Sequence, residues 1–522
     1  MMPAGHAQAP GGAPAPAPAA RGLPSLGDAG EMTTLEERKL GDEIARELYR
    51  DPDYLDDPVL GEYVGGIWRR LMDGARARGE MPPELEERYA WQVIFGRDSS
   101  INAFSLPGGY FGVNSGLLGA VTSRDELAAV LAHEMSHVLQ RHIPRMLGQQ
   151  GRQTPLMLAA MVVGVLAASK NPQAGAALSV GGQAALIQQQ LNFSRDMERE
   201  ADRIGYGIMT QAGFVPEGFV SMFDKLQNAS RINDNGDWPY LRSHPLTTQR
   251  IADMQQRVQS LHGHDHAERA RAASAPRGSA AAALAPDLEA MLMAARARVL
   301  GSPGVDVLRA WAGEPDQPGF ARLPQARRAG ALYAAALANV QLRDLPRAQA
   351  QAAQLAQTVA DDASAARQAR LLQAELALKT AQPARALELL AGELAGGGER
   401  LSRAVLLLRA QAQTSAGQAG EAASALQTWV SDHPRDAGAW QALAQACGAQ
   451  GQTLRQLRAE GEVQMAHMDY AGAIDRWRAA QDFSRQQRGS SADLIEASIV
   501  DARLREAREL QRLRELDEKK RR

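Results

Sequence analysis

His133-Glu134-Met135-Ser136-His137 is the stretch on which the reading of this chain turns. Positions i and i+4 of a helix lie one above the other on the same face, so His133 and His137 can aim ring nitrogens at one metal ion. Glu134 then stands beside the ion without binding it, where it can take a proton from a water acidified by zinc. The surroundings predict the helix: Ser123 and Glu126 have the spacing of a capping box, and Leu127, Val130, Leu131 and Val138 form an apolar stripe. Five such residues also recur by chance on amphipathic helices, so the reading depends on what the rest of the chain supplies.

A catalytic zinc takes three protein ligands and keeps one position open for water. The candidate third ligand is Glu198, which with Ala201 and Asp202 makes an E-x-x-A-D pattern in a helical stretch running on through Ile204 and Ile208. In these residues the chain resembles the gluzincin metallopeptidases of the HtpX and Ste type, and within them the periplasmic beta-barrel assembly-enhancing proteases with C-terminal TPR repeats. Asn102 to Gly109 and Val113 to Leu118 resemble the same family. The resemblance implies His133, His137 and Glu198 as ligands of one zinc ion per chain, with Glu134 as general base. It implies Asp202 behind the ligands, accepting the other N–H of a ligand histidine. Glu200 is a chemical rival for the metal, but two positions along a helix turn it to a different face.

His244 precedes Pro245, which ends any helix there and leaves the ring free to swing. It is expected near the site, either stabilising the oxyanion of the tetrahedral intermediate or taking the fourth position on zinc and holding the enzyme off. His142, five residues beyond His137, is expected to point away from the metal face. His262, His264 and His266 are read as a solvated tail. Trp91 to Phe95 and Gly109 to Val113 are predicted strands, bounded by Gly, Pro and Asn, and the resemblance implies that extended substrate binds along the edge of such a sheet. The apolar run from Leu156 to Ala168, followed by a small-residue stretch from Ala174 to Ile187, is too short to span a bilayer, which needs about 20 apolar residues, and is read as a buried helix or active-site cover, with peripheral membrane contact left open.

The C-terminal half is rich in Ala, Leu, Gln and Arg and repeats. Helix starts at Pro346, Ala384, Gly420 and Ala471 recur near a 34-residue period, the last gap being wider by about half a repeat. Trp440, Leu443, Ala473, Ile474, Trp477 and Ala480 fall where a TPR hairpin has its core residues, and the single cysteine, Cys447, takes an inward position in that register.

The expected architecture is α+β. A disordered Ala/Pro-rich leader (1–30) precedes a mainly helical zincin-type metallopeptidase domain with a small β-sheet (31–265). A linker (266–290), an all-α TPR solenoid (291–497) and a charged C-terminal helix (498–522) follow. A net charge of −2 over 522 residues argues against nucleic acid as a partner, and one cysteine excludes an intramolecular disulfide framework. The leader lacks an apolar signal core, so export to the periplasm requires a signal peptide that is missing or truncated here; cytoplasmic or membrane-associated placement is the alternative. The expected partners are unfolded or misassembled polypeptides and, through the TPR half, the outer-membrane assembly machinery. The alternative function is a TPR scaffold or chaperone whose peptidase site is latent.

Overall fold

The computed structural model describes residues 32–149, 194–232, 239–271, 287–395, 402–486 and 491–521. The leader, the apolar stretch 156–187 and the Ala/Ser/Gly/Pro joint at 272–286 lie outside them.

Helix α1 (Thr34–Arg50) starts with a reciprocal cap: the Thr33 hydroxyl accepts the Glu36 N–H, and the Glu36 carboxylate accepts the Thr33 N–H. After β1 (Tyr54–Leu55), α2 (Pro58–Ala77) begins on Asp57, whose carboxylate accepts the Leu60 N–H, with Pro58 at the first position, where no N–H is needed. The short α3 (Pro83–Arg88) leads to β2 (Gln92–Gly96), β3 (Ala103–Leu106) and β4 (Tyr110–Asn114). The sheet has the order β1-β2-β4-β3. β2 runs parallel to β4, with Val93 beside Phe111, and β3 runs antiparallel to β4. The two stretches predicted as strands therefore pair with each other inside the sheet. An outer edge belongs to β3, whose four residues are too short and mixed to declare a strand, and this edge lies against the helix of His133 and His137.

One face of the sheet packs on α1, with Leu40 and Ile44 against Ile94, Leu106 and Tyr110. The other packs on α2 and on α5 (Arg124–Leu139), which follows α4 (Ser115–Ala120); here the Trp68 and Phe111 rings are 4.5 Å apart. α5 is buried at every position from Glu126 to Leu139, so the expected apolar stripe is one side of a helix enclosed all round. α6 (His142–Gln149), α7 (Arg195–Gln211), α8 (Glu217–Ile232), α9 (Pro239–Ser243) and α10 (Thr248–Arg271) complete this part, with α7 and α8 flanking α5. α10 carries the chain past residue 266, so the linker expected to begin there starts inside a helix.

From Asp287 on, the described elements are helices, and from Gln325 onward each packs on its sequence neighbours. α11 (Leu288–Leu300) and α12 (Val305–Gly313) precede α13 (Gln325–Gln341), α14 (Leu345–Thr358), α15 (Ala363–Lys379), α16 (Pro383–Ala395), α17 (Arg403–Ser415), α18 (Ala419–Asp432), α19 (Ala437–Ala449), α20 (Thr453–Ala466), α21 (Tyr470–Gln486) and α22 (Ser491–Arg521). Helices begin within a residue or so of Pro346, Ala384, Gly420 and Ala471. A further one, α20, begins at Thr453 without the Ala-rich opening of the others, and its presence accounts for the wide last gap. α20 packs on both α19 and α21, and its Gly461 lies directly against the Trp477 ring of α21. Cys447 is buried in the core around Trp440 and Leu443. α22 starts ahead of residue 498 and buries Val500, Leu504 and Ala507 beside Trp477.

Candidate metal centre

α5 is fixed at its start before it reaches the histidines. The Ser123 hydroxyl accepts the Glu126 N–H, but the Glu126 carboxylate accepts the N–H of Thr122 at 2.6 Å, together with the Ser221 hydroxyl and the Lys225 ammonium, the latter at 2.6 Å. Only half of the expected capping box forms, because the carboxylate ties α5 to α8 instead. α7 packs on α5 so closely that a Cβ on Gly205 would stand 3.0 Å from the Ala132 carbonyl and 3.1 Å from the His133 nitrogen. Glycine at this position allows the approach that brings Glu198 to the histidines.

Four buried side chains converge: His133, His137, Glu198 and His244 each bring a donor atom within 4.8 Å of the others. His133 Nε2 is 3.0 Å from His137 Nε2 and 3.3 Å from His244 Nδ1. Glu198 Oε1 is 3.0 Å from His244 Nδ1 and 3.4 Å from His137 Nε2, and Glu198 Oε2 is 3.4 Å from His133 Nε2. A tetrahedral zinc with bonds of about 2.0–2.1 Å keeps its ligand atoms roughly 3.3–3.4 Å apart, so the donor set has the size that such an ion needs. Charge points the same way. Glu134, Glu198 and Asp202 are buried carboxylates, and Arg250 is the guanidinium buried with them among the described residues, so the formal charge of the group is negative and suits a cation. Without a metal, burial opposes protonation of His133, but its hydrogen bonds to Asp202 and Glu198 prevail and push its pKa up to about 9. Burial alone would raise the pKa of Glu198; the facing histidines, His244 first, hold it well below the ordinary range.

The ring of His133 is held from behind by Asp202, whose Oδ1 is 3.0 Å from Nδ1. Asp202 also accepts two hydrogen bonds from Arg250, at 2.7 and 2.8 Å, and Arg250 Nη1 reaches Glu198 Oε2 at 2.6 Å. The sequence reading gave Arg250 no role, and only its position in the Thr-Thr-Gln-Arg turn after His244 could have flagged it. His142, expected to point away from the metal face, stays outside the converging group and packs behind His137, its Nδ1 2.9 Å from His137 Nδ1. Burial keeps both rings below the ordinary histidine pKa. Glu200 lies outside the cluster, 3.1 Å from His142 Nε2 and 3.0 Å from Arg145.

His244 is not a free loop residue. It is buried, its N–H donates to the Tyr240 carbonyl, and its ring stacks on Tyr240 with centroids 4.8 Å apart. Its Nδ1 faces Glu198 and His133, while Nε2 lies 3.4 Å from Glu134 Oε1. Neither carboxylate oxygen of Glu134 accepts a hydrogen bond among the described residues, although both are buried. The side chains of His262, His264 and His266 lie outside the described residues, on the last turns of α10.

Residues 69–258, which include all four converging side chains, match Peptidase family M48. A putative beta-barrel assembly-enhancing protease of Vibrio cholerae is 36% identical over 242 residues, covering 45% of this chain and 47% of that protein. The beta-barrel assembly-enhancing protease of Escherichia coli is 32% identical over 251 residues, covering 48% and 50%. The mitochondrial metalloendopeptidase OMA1 of Saccharomyces cerevisiae is 29% identical over 196 residues, covering 37% and 54%. The chain thus spans about half the length of the relatives it matches. The buried His/His/Glu/His cluster thus lies inside the segment that matches Peptidase family M48, in a chain that resembles the beta-barrel assembly-enhancing proteases over about half its length.

Proposed function

We propose that this chain is a zinc-dependent endopeptidase acting on misfolded or misassembled proteins of the cell envelope, and that its site rests in a latched state. The observation that carries the reading is the convergence of His133, His137, Glu198 and His244 on one point, with Glu134 buried beside them and accepting no hydrogen bond among the described residues. His133, His137 and Glu198 would hold the zinc. When bound, zinc lowers the pKa of a water toward neutrality and polarises the scissile carbonyl. Glu134 would take a proton from such a water and pass it to the leaving amine, work for which a carboxylate that accepts no hydrogen bond among the described residues is suited. Asp202, itself clamped by Arg250, keeps the His133 ring turned toward the metal. The edge of β3, lying along α5, supplies backbone groups on which an extended substrate can be laid beside the site.

His244 stands at donor distance within the cluster, so it would hold the zinc together with the other three side chains, and cleavage would require that its ring leave. This favours the latch over an oxyanion role in the resting state, and it supports a second reading in which the C-terminal half acts as scaffold while the peptidase is silent. The paired helices from α13 onward are a TPR-like solenoid that receives clients or assembly partners. The relatives named for beta-barrel assembly support outer-membrane proteins as the client class and the periplasm as the compartment. No helix among the described residues is long and apolar enough to cross a membrane. Cell fractionation tests the compartment.

The purified chain, Glu134→Gln and His244→Ala are compared for zinc content and for cleavage of an unfolded protein. About one zinc per chain is expected in each, with cleavage reduced about 10²- to 10⁴-fold in Glu134→Gln and raised in His244→Ala. Zinc without cleavage in any variant would leave only the scaffold reading. Reduced cleavage in His244→Ala would replace the latch with an oxyanion role.

A further inference from the structure

His142 opens α6 directly after the turn that ends α5. In that turn Arg141 has a φ of 50°, a left-handed conformation unfavourable for a side chain of its size, and its guanidinium is 3.3 Å from the buried carboxylate of Glu37, which also accepts the Tyr89 hydroxyl. Held this way, the turn folds His142 back against the metal helix. Its Nδ1 lies 2.9 Å from His137 Nδ1, its Nε2 lies 3.1 Å from Glu200 Oε2, and Arg145 Nη1 lies 3.0 Å from the same oxygen.

The order of these contacts dictates where the protons sit. His137 turns Nε2 into the cluster, 3.0 Å from His133 Nε2, and a neutral imidazole that offers Nε2 to a cation carries its proton on Nδ1. That N–H needs an acceptor, and His142 Nδ1 can accept it only if the His142 proton is on Nε2. There the Glu200 carboxylate, with Arg145 beside it, accepts that proton in turn. His133 is backed by a carboxylate directly, whereas His137 is backed through an intervening ring.

We propose that His142 is a positioning residue for His137, fixing its tautomer and ring plane so that Nε2 faces the metal, and that Glu200 fixes His142 in the same way. This rests on the reading of the four-residue cluster as a zinc site. Neither residue touches substrate or metal.

The test titrates the metal-free full chain with zinc against a chromophoric chelator, for the wild type, His142→Leu, His142→Asn and Glu200→Ala, and melts each metal-free protein. The wild type is expected to bind about one zinc, and His142→Leu to raise the zinc Kd about 10- to 100-fold. Asparagine carries an amide oxygen where the imidazole has Nδ1, so His142→Asn is expected to recover most of the affinity. Glu200→Ala is expected to give a smaller loss, about 3- to 10-fold. Metal-free melting temperatures are expected to stay close to the wild type. A Kd in His142→Leu within about threefold of wild type would overturn the proposal. So would equal losses in Leu and Asn accompanied by equal falls in metal-free melting temperature, since that is what a packing role produces. If His142→Leu does not fold, Glu200→Ala and His142→Asn decide: an unchanged Kd in Glu200→Ala together with a leucine-sized loss in Asn counts against it. A wild type that binds no zinc refutes the metal site itself, an outcome distinct from zinc binding that His142 does not affect.

Discussion

At pH 7 the buried carboxylate of Glu126 accepts hydrogen bonds from the Thr122 N–H, the Ser221 hydroxyl and the Lys225 ammonium, and so ties α5 to α8 where the metal helix begins. Burial alone would raise its pKa; the hydrogen bonds from Lys225, Ser221 and Thr122 prevail and hold it below the ordinary glutamate value. A carboxyl with a depressed folded pKa contributes stability above its unfolded pKa, about 4.3, and that contribution is lost as pH falls through the folded value. Glu126→Gln is therefore expected to lower stability by about 1–3 kcal/mol at pH 7, with the difference from wild type shrinking below about pH 4. Urea midpoints at pH 7 and pH 3 measure it, and a difference that persists at pH 3 would mean that the loss is one of packing. At this scale the sequence is most readable for residues whose partners lie on the same helix. The i, i+4 spacing put His133 and His137 on one face, and the structure brings their Nε2 atoms within 3.0 Å. What a side chain meets on another element is hidden: Glu126 has the capping-box spacing, yet its second partner is Thr122 because Lys225 and Ser221 of α8 draw the carboxylate off the helix end. The contact of His142 with the back of His137 was hidden for a similar reason. The i+5 argument assumes that the helix continues, whereas Arg141 breaks it in a left-handed turn.

The site is assembled by elements, and the critical approach is that of α7 to α5. A methyl group on Gly205 would press on the backbone of Ala132 and His133, atoms that cannot rotate away. Gly205→Ala is expected to cost about 1–3 kcal/mol, and Gly205→Val more, because α7 must withdraw and carry Glu198 away from the histidines. Zinc retained after gel filtration should fall in the order glycine, alanine, valine. Full zinc retention in Gly205→Val would show that the helices can separate without opening the cluster. Element types were largely readable from pattern: the metal helix, the helix of Glu198 and the Ala-rich helices from α13 onward all carry helical periodicity. Strand β3 was not, because its four residues become a strand only through pairing with β4. α20 was passed over because it lacks the small-residue opening of its neighbours, although it packs between α19 and α21 like any other helix of the series.

Across the whole molecule, two adjacent aspartates are among the contacts that join the two halves. Asp57, at the start of α2, pairs with Arg296 of α11 through contacts of 2.8 and 2.7 Å, and the same guanidinium reaches Glu375 of α15 at 2.8 Å and the Tyr333 hydroxyl of α13 at 3.1 Å. Asp56 pairs with Arg403 of α17 through two contacts of 2.9 Å. The pairs resemble each other in geometry but not in solvation. The Arg296 and Asp57 side chains are 5% and 8% exposed, whereas those of Arg403 and Asp56 are 23% and 32% exposed. Removing one member of a buried pair leaves the other charge without compensation and costs about 3–5 kcal/mol, while a solvated pair is worth roughly 0–1 kcal/mol. Arg296→Met should therefore strand Asp57 and Glu375 together and loosen α2 from α11 and α15, and Asp56→Asn, which leaves Arg403 its two hydrogen bonds to Asp436, should do much less. Because the lost contact joins the part containing α5 and α7 to the helical array, the effect should reach beyond a lower melting temperature. The single calorimetric transition expected of the wild type should split in Arg296→Met, with the zinc-dependent shift confined to one of the two peaks. If Arg296→Met and Asp56→Asn lower one undivided transition by the same amount, the buried pair is no more than another local contact, and the halves are held together by their remaining contacts instead.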